Sequence, residues 1–450
     1  MEFFGRYVLG GIIPLSLIGL GIFFLIYLRF FFVLKPKKTF SFLLKKEKGE
    51  GVSGFGALTV ALAGTLGVGN IVGVASAIIL GGAGAVFWML VSAFSAMVLK
   101  YAEIVLAHKH RKKTAGGLRG GAMYYIEDFF GGRMGRTLGC IFSFFCLLNS
   151  LSMGCMLQSN AVSSSFAELS PVPKLLIGVI LALLCGSVIL KNIHDISPLT
   201  SIIIPLMTVL YFAMSVVVIV RFRADIGSVT RLILEDAFAF DSAAGGVFGF
   251  LLSSGVRYGC MRGILSNEAG CGTAPIAHAV SKREKAAEQG IWGIVEVFVD
   301  TVLLCTLTAF SILLAYGGNI KGFGIGDEMK LVISAYSRAI GSSAALLMTV
   351  MVFFYAFATI ICWAYYGSVT LEYMTRSKAA GLTFKLVYTA FVFLGACEVG
   401  KTVWNIADIA IAEMTLLNLA TLFLMRKEIK KETEDLFTGA VHEKIGNKKK

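Results

Sequence analysis

Charge is scarce in this sequence. Asp, Glu, Lys and Arg make up 15% of the 450 residues, 56% are hydrophobic, and mean hydropathy is +0.79. A soluble chain of this length carries far more charge, so the solvent of this one is the bilayer. Polar and apolar residues do not alternate within the long apolar runs, which excludes a closed barrel. Helices remain as the spanning element, because a lipid-exposed span must satisfy every backbone N–H and C=O internally. Cysteine pairs at metal-ligand spacing are absent. The nine Cys fall singly in apolar stretches, as at Cys140, Cys146, Cys155, Cys185, Cys305 and Cys362, and read as small buried hydrophobes. A phosphate-binding P-loop is missing, which disfavours ATP-driven work. The five histidines, His108, His110, His194, His278 and His442, lie mostly in loops or at span ends without a triad or metal pair, so no catalysis is expected.

Apolar segments are plentiful instead. They fall at 8–34, 57–80, 84–108, 136–167, 173–191, 197–222, 243–280, 290–316, 342–373, 383–397 and 402–425, about eleven spans in all. The first is too long for a signal peptide and lacks an AxA-type cleavage site. The net charge of +13 sits in short segments between spans, which argues for topology signals rather than a nucleic-acid surface. Lys35 to Lys48, Lys109 to Arg119, Lys191, Lys282 to Lys285, Arg376 to Lys385 and the tail from Arg426 all fall on one side, the cytoplasm by the positive-inside rule. The N-terminus is then outside and the C-terminus inside. Arg221 to Arg231 departs from the rule, in a longer loop that also carries Asp225, Glu235, Asp236 and Asp241. The segments 109–135 and 320–340 mix charge with apolar residues, as short interfacial helices or loops would. The Lys-rich tail is expected to be solvated and partly disordered.

Setting aside 1–50, an extra N-terminal helix and its basic loop, leaves two sets of five spans, 51–225 and 243–425, before the basic tail 426–450. The segment 57–80 enters from inside and 243–280 from outside, as two inverted repeats require. Both are Gly-rich in mid-course: GALTVALAGTLGVGNIVGVASA in one, GFLLSSGVRYGCMRGILSNEAG in the other.

GTLGVGNIVG (64–73) places Gly64, Gly67, Gly69 and Gly73 around the polar Asn70. Glycine lowers helix stability, so a break is expected around Gly67 to Asn70, although close small-residue packing is an alternative use of some of these glycines. Backbone freed at mid-membrane depth is tolerated where it lines a cavity or holds an ion. A second break is expected in RGILSNEAGCGTAPIAHA (262–279), where Asn267, Glu268, Gly270, Gly272 and Pro275 interrupt the apolar run. Glu268 serves either as a polar staple of that break or as a substrate or cation contact. Asp300 lies about ten residues into its span, or about 15 Å deep, near the midplane of a core about 30 Å thick. A charge there asks for an ion or a structural partner; Glu296, one turn earlier, is the weaker candidate. Two facing breaks offer positive helix N-termini to a carboxylate and negative C-termini to a cation, which suits a zwitterion with a small neutral side chain.

GVGNIVGVASAIILGGAGAVFWM (67–89) and SNEAGCGTAPIAHA (266–279) resemble the signature segments of the alanine or glycine:cation symporter family. GCMLQSNAV (154–162), VDTVLLCTLTA (299–309) and YAFATIICWAYYG (355–367) extend the resemblance over about residues 55–425. It implies an all-α polytopic protein with the leucine-transporter type of 5+5 inverted repeat and sodium-coupled uptake of alanine or glycine. Carried onto this chain, it implies substrate contacts from backbone at Gly67, Gly69 and Asn70, from the Gln158 side chain, and from backbone between Gly263 and Asn267. Thr359 and Trp363, four residues apart on one helical face, become the pocket wall and a limit on side-chain size. Gln158 has an interhelical hydrogen bond as its alternative role, and Trp363 has packing or interfacial anchoring. Asn70, Glu268 and Asp300 are the candidates for cation coupling. The family commonly has Thr, Pro and Trp where this chain has Val68, Ala83 and Leu90.

The function expected is therefore alternating-access symport in the plasma (inner) membrane, with Na⁺ as the coupling ion and no other cofactor. Its partners are the amino acid, Na⁺ and the lipid bilayer; neither nucleic acid nor an obligatory protein partner is implied. The rival readings are a proton-coupled permease using Asp300 or Glu268, and a channel or amino-acid sensor.

Overall fold

The structure is a computed structural model that describes residue 8 and residues 11–47, 49–114, 117–191, 193–239 and 254–446. Among these residues it is helical apart from a two-stranded hairpin, β1 (Lys112–Thr114) with β2 (Gly117–Arg119). Among the described residues seven helices are long and apolar enough to cross a membrane: α4 (Ala85–Lys109), α6 (Gly132–Ala167), α8 (Ile193–Arg221), α12 (Ala286–Ala315), α14 (Ser343–Thr375), α15 (Lys378–Cys397) and α16 (Lys401–Leu424). An eighth span is a bent pair, α2 (Gly54–Thr65) and α3 (Val72–Gly81). Two further apolar helices, α1 (Ile13–Tyr27) and α7 (Lys174–Ile189), have 15 and 16 residues. At 1.5 Å per residue they reach about 23 Å, short of a hydrocarbon core of about 30 Å. The segment 243–253, which opens the seventh apolar run, lies outside the described residues; α10 (Ser254–Asn267) and the one-turn α11 (Pro275–His278) complete it.

Two groups of helices form around the broken ones. In the first, α4 is the hub and is buried almost all round, with α1, α10 and α12 packed on it. Small residues set the spacing: a Cβ at Gly290 or Gly293 of α12 would run into Tyr101, Val105, Ile104 or Lys100 of α4. In the second group α14 packs on α6, α8 and α15, and α7 packs on α15. The first half of the bent pair, α2, lies between them, against α8 and α14 on one side and α11 and α12 on the other.

The segment 109–135 resolves into the hairpin and a short helix α5 (Ala122–Phe130), and 226–237 and 328–340 hold the surface helices α9 (Ile226–Ala237) and α13 (Glu328–Ile340). One expectation is corrected. The tail is not a solvated coil: it forms a helix, α17 (Arg426–Gly446), whose Ile429 and Leu436 are buried. Lys109 bridges Glu428 and Glu432 of this helix at 3.0 and 2.8 Å, and Tyr101 shares a 2.8 Å hydrogen bond with Thr433. The apolar positions at i and i+7 were present in the sequence but lay among many lysines.

Candidate functional site

The first break falls where the glycines placed it. The α2 helix ends at Thr65, Gly67 leaves helical backbone (φ −118°, ψ −149°), and one 3-10 turn, Val68–Asn70, leads into α3. The two halves diverge by 62°. A continuous helix would bond the Gly64 carbonyl to the Val68 N–H. Both orphans are taken up by side chains from the second group. The Trp363 indole donates from Nε1 to Gly64 O at 3.2 Å, and Gln158 Oε1 accepts from Val68 N at 3.2 Å. Gln158 can reach because α6 loosens into a π-helical turn over Ser152–Met156, where Gln158 Nε2 donates back to Met153 O. Trp363 fits because Gly154, in that turn, has no Cβ to strike its ring. A Cβ at Gly67 would lie 2.9 Å from both Gln158 Oε1 and Thr359 Oγ1. Gly67, Gln158, Thr359 and Trp363 are thus brought together.

Asn70 faces the other way. Its Nδ2 donates to Asp300 Oδ1 at 2.8 Å, to the Asp300 carbonyl at 3.0 Å and to Ser266 Oγ at 2.9 Å. Asp300 Oδ2 accepts from Ser266 Oγ at 2.9 Å and from Thr301 Oγ1 at 2.7 Å, while Thr301 accepts from Asn267 Nδ2 at 3.1 Å. Asp300 lies in a second π-helical turn, Phe298–Cys305. The Asn70 Oδ1 atom is buried without a partner. Gly69 brings the first break against the end of α10: a Cβ on it would come within 3.8 Å of Ser266 Cα. Amide, hydroxyl, carboxylate and carbonyl oxygens around one carboxylate form a set that suits a hard cation. Among the described residues no group of three or more His, Cys, Asp or Glu side chains could hold a metal ion.

Two predicted residues lie elsewhere. Gly263 sits inside α10, its Cα pressed on Met89 and Ser92 of α4, and the helix continues to Asn267. Its backbone is therefore helical, and the second break comes later, at Glu268 to Ala274, where Glu268 (φ 51°), Gly270 (φ 81°) and Gly272 (φ 77°) turn the chain. Glu268 Oε2 accepts from Thr273 Oγ1 at 2.7 Å, which closes that turn.

Sequence reasoning overlooked Ser266, Thr301 and Cys305, whose Sγ accepts from Asn70 Nδ2 at 3.4 Å, although each lies inside a quoted motif. It also overlooked a buried ionic group beside the site. Lys100 Nζ lies 3.4 Å from Glu296 Oε1 and 3.6 Å from Glu103 Oε1, all three side chains fully buried. Glu103 Oε2 accepts from Gly272 N at 3.1 Å and from Asn418 Nδ2 at 2.9 Å, which ties the second break to α16. The signal was an i,i+3 Lys and Glu pair in the middle of an apolar run.

A cavity of about 950 Å³ opens at the end of the molecule that carries the basic loops, lined in part by Arg119, His194, Tyr365, Glu372 and Lys385. Arg119 Nε donates to Glu372 Oε2 at 3.1 Å across its mouth. Burial lowers the pKa of the Arg119 guanidinium, and Tyr365 and Glu372 beside it raise it by more, so it holds its charge.

Residues 1–449 match the family described as the sodium:alanine symporter family. The sodium/alanine symporter AgcS of Methanococcus maripaludis is 35% identical over 436 residues, covering 95% of this chain and 94% of that protein. The uncharacterized transporter YflA of Bacillus subtilis is 36% identical over 444 residues, covering 97% and 93%. The crystal structure of MhsT in complex with L-phenylalanine superimposes with a TM-score of 0.54 at 13% identity, over 87% of this chain and 93% of that one. This last likeness is one of fold.

Proposed function

The chain belongs to the sodium:alanine symporter family, a family of multi-pass membrane transporters, and from that premise we propose that it couples Na⁺ entry to uptake of alanine or glycine. Substrate occupies the space beside Gly67, Gln158 and Thr359, with Trp363 limiting side-chain size. Na⁺ binds beside Asn70 and Asp300. The observation that carries this reading is the break itself. Its backbone is held open by Gln158 and Trp363 on one flank, and Asn70 on the other reaches a carboxylate with an unpartnered amide oxygen nearby. A zwitterion and a cation can therefore meet across three residues of chain.

The same reading takes 51–225 and 243–425 as inverted five-helix repeats, each opening on a broken helix, with one extra helix in 1–50 and about eleven spans in total. The basic loops and the tail face the cytoplasm, with the N-terminus outside. The 950 Å³ cavity, lined by Tyr365 two residues beyond Trp363, is then the release path. Rocking of the α4 group against the α14 group opens the site to one side at a time, and the transporter does no covalent chemistry.

The test is uptake of labelled alanine and glycine into proteoliposomes under an inward Na⁺ gradient, with an equimolar K⁺ control. Na⁺-dependent accumulation supports symport and ranks the two substrates. Equal uptake in both salts assigns the coupling to protons, and absence of uptake for both amino acids removes the substrate assignment.

A further inference from the structure

Glu296, one turn before Asp300 in α12, belongs to a buried group that the transport reading leaves without a task. His278 Nε2 lies 3.0 Å from Glu296 Oε2, and Gln289 Nε2 lies 2.7 Å from His278 Nδ1, all of them buried. As arranged, the amide donates to Nδ1 and the imidazole donates to the carboxylate, which fixes a neutral ring with its proton on Nε2. The Gln289 Oε1 atom is buried without a partner. So are Lys100 Nζ, Glu103 Oε1 and Glu296 Oε1, whose mutual contacts at 3.4 and 3.6 Å do not close as hydrogen bonds.

With a neutral imidazole and both carboxyls ionised, the group holds one ammonium against two carboxylates. One proton on His278 Nδ1 offsets that excess. The Gln289 amide can receive it by turning over, so that Oε1 accepts from Nδ1–H and the orphaned oxygen gains a donor. The imidazolium then donates from both ring nitrogens, to Glu296 and to Gln289. The turnover exchanges the Gln289 Nε2 hydrogen bond for this new one, the only covalent bond formed is N–H at Nδ1, and the proton comes from hydronium on the side of the basic loops. There Ser281, three residues on, pairs with Val52, and Arg111 donates to the carbonyls of Ala279 and Ser281.

We propose that His278, with Lys100, Glu103, Glu296 and Gln289, forms a proton-binding site whose occupancy sets the charge of the α4 group and so the rate of transport. It rests on the symport reading for its effect on transport, but not for the binding of the proton. The titratable and charged groups on the elements that meet the His278 segment are Lys100, Glu103 and His108 from α4, Arg111 just beyond it, Glu296 from α12, Cys362 and Tyr366 from α14, and Glu268 and Cys271 from the turn before it. The facing stretch of α2, Gly54–Thr65, brings none.

The experiment follows the unfolding midpoint of the full-length protein in detergent from about pH 5 to about pH 8, the range in which an imidazole changes charge. Wild type is expected to show a break in that profile. His278→Gln keeps a donor toward Glu296 but takes no second proton, and its profile is expected to be smooth across the window. A wild-type profile without a break, or a His278→Gln profile that keeps it, overturns the proposal. Should His278→Gln not fold, Glu296→Gln serves in its place: it removes the carboxylate facing Nε2 and moves the break along the pH axis, and an unmoved break overturns the proposal equally. Na⁺-driven alanine uptake over the same range gives the functional arm. Wild-type uptake is expected to vary about threefold or more with pH and His278→Gln uptake to lie flat. A break in the midpoint without any uptake leaves the proton site standing and removes the symport reading, whereas equal pH dependence of uptake in both proteins removes the link to transport.

Discussion

At Asn70 a single side chain joins the first break to the span that carries Asp300. Its amide donates to the carboxylate and to Ser266, so both groups are held in place without quenching the carboxylate with a full positive charge. A lysine there would neutralise Asp300 and leave nothing for a cation. Asn70→Ala removes a hydrogen bond to a charged group, an interaction worth about 1.5–3 kcal/mol, or about a tenfold or larger rise in the Na⁺ concentration for half-maximal uptake. Uptake measured against Na⁺ concentration checks it, and an unchanged midpoint would remove Asn70 from the cation site. Gly67 makes the complementary case on the substrate side. A methyl added at Gly67→Ala would sit 2.9 Å from Gln158 Oε1 and Thr359 Oγ1, so these side chains must shift into the space proposed for the substrate. Loss of room for one methyl group costs about 1–3 kcal/mol. Alanine uptake is therefore expected to fall about tenfold or more relative to glycine, read from competition between the two labelled substrates.

The broken helix holds its shape because both halves of one missing backbone bond have found donors and acceptors elsewhere. Trp363 serves the Gly64 carbonyl and Gln158 the Val68 N–H, from α14 and α6 respectively. Each single change, Trp363→Phe or Gln158→Leu, strands a buried backbone group at about 1–3 kcal/mol. The double variant strands both partners of the same bond, which can then close on each other as ordinary helix. The two losses are thus expected to be less than additive in a double-mutant cycle on the unfolding midpoint, and full additivity would show that the break is set by other contacts. The position of this break was legible in the run of glycines, and the pairing of Thr359 with Trp363 in their spacing of four. The second break was legible only in outline. Gly263 was assigned to it through the family resemblance, but here it serves close packing on Met89 and Ser92, a tertiary demand that sequence period does not reveal. Glu268 could not be assigned from sequence for a related reason: its partner, Thr273, lies across a turn whose geometry depends on positive φ at Glu268 itself.

At the scale of the molecule, transport by rocking needs one group of helices to move as a unit. The tail helix α17 bears on that unit. It packs on α4 and α12, and Phe437 meets Phe31 and Phe42 with ring centroids 5.9 Å away in each case. It also packs on α16, which lies against α6 of the other group, so its contacts centre on the α4 group and touch the α14 group only through α16. The lysines that made the tail look solvated flank a narrow apolar stripe, and the acidic residues among them answer Lys109. Those ion pairs are partly exposed and contribute about 0–1 kcal/mol each. Burial of Ile429 and Leu436 stabilises the docked helix more, by about 1.5–3 kcal/mol per side chain. Truncation after Met425 is accordingly expected to lower the unfolding midpoint clearly, whereas Lys109→Ala lowers it little. Because the tail centres on the α4 group and lies away from Asn70, Asp300 and Gly67, the truncated protein is expected to keep its Na⁺ dependence and its preference between alanine and glycine. A truncated protein with an unchanged midpoint but altered Na⁺ dependence would mean that α17 acts on the rocking step itself.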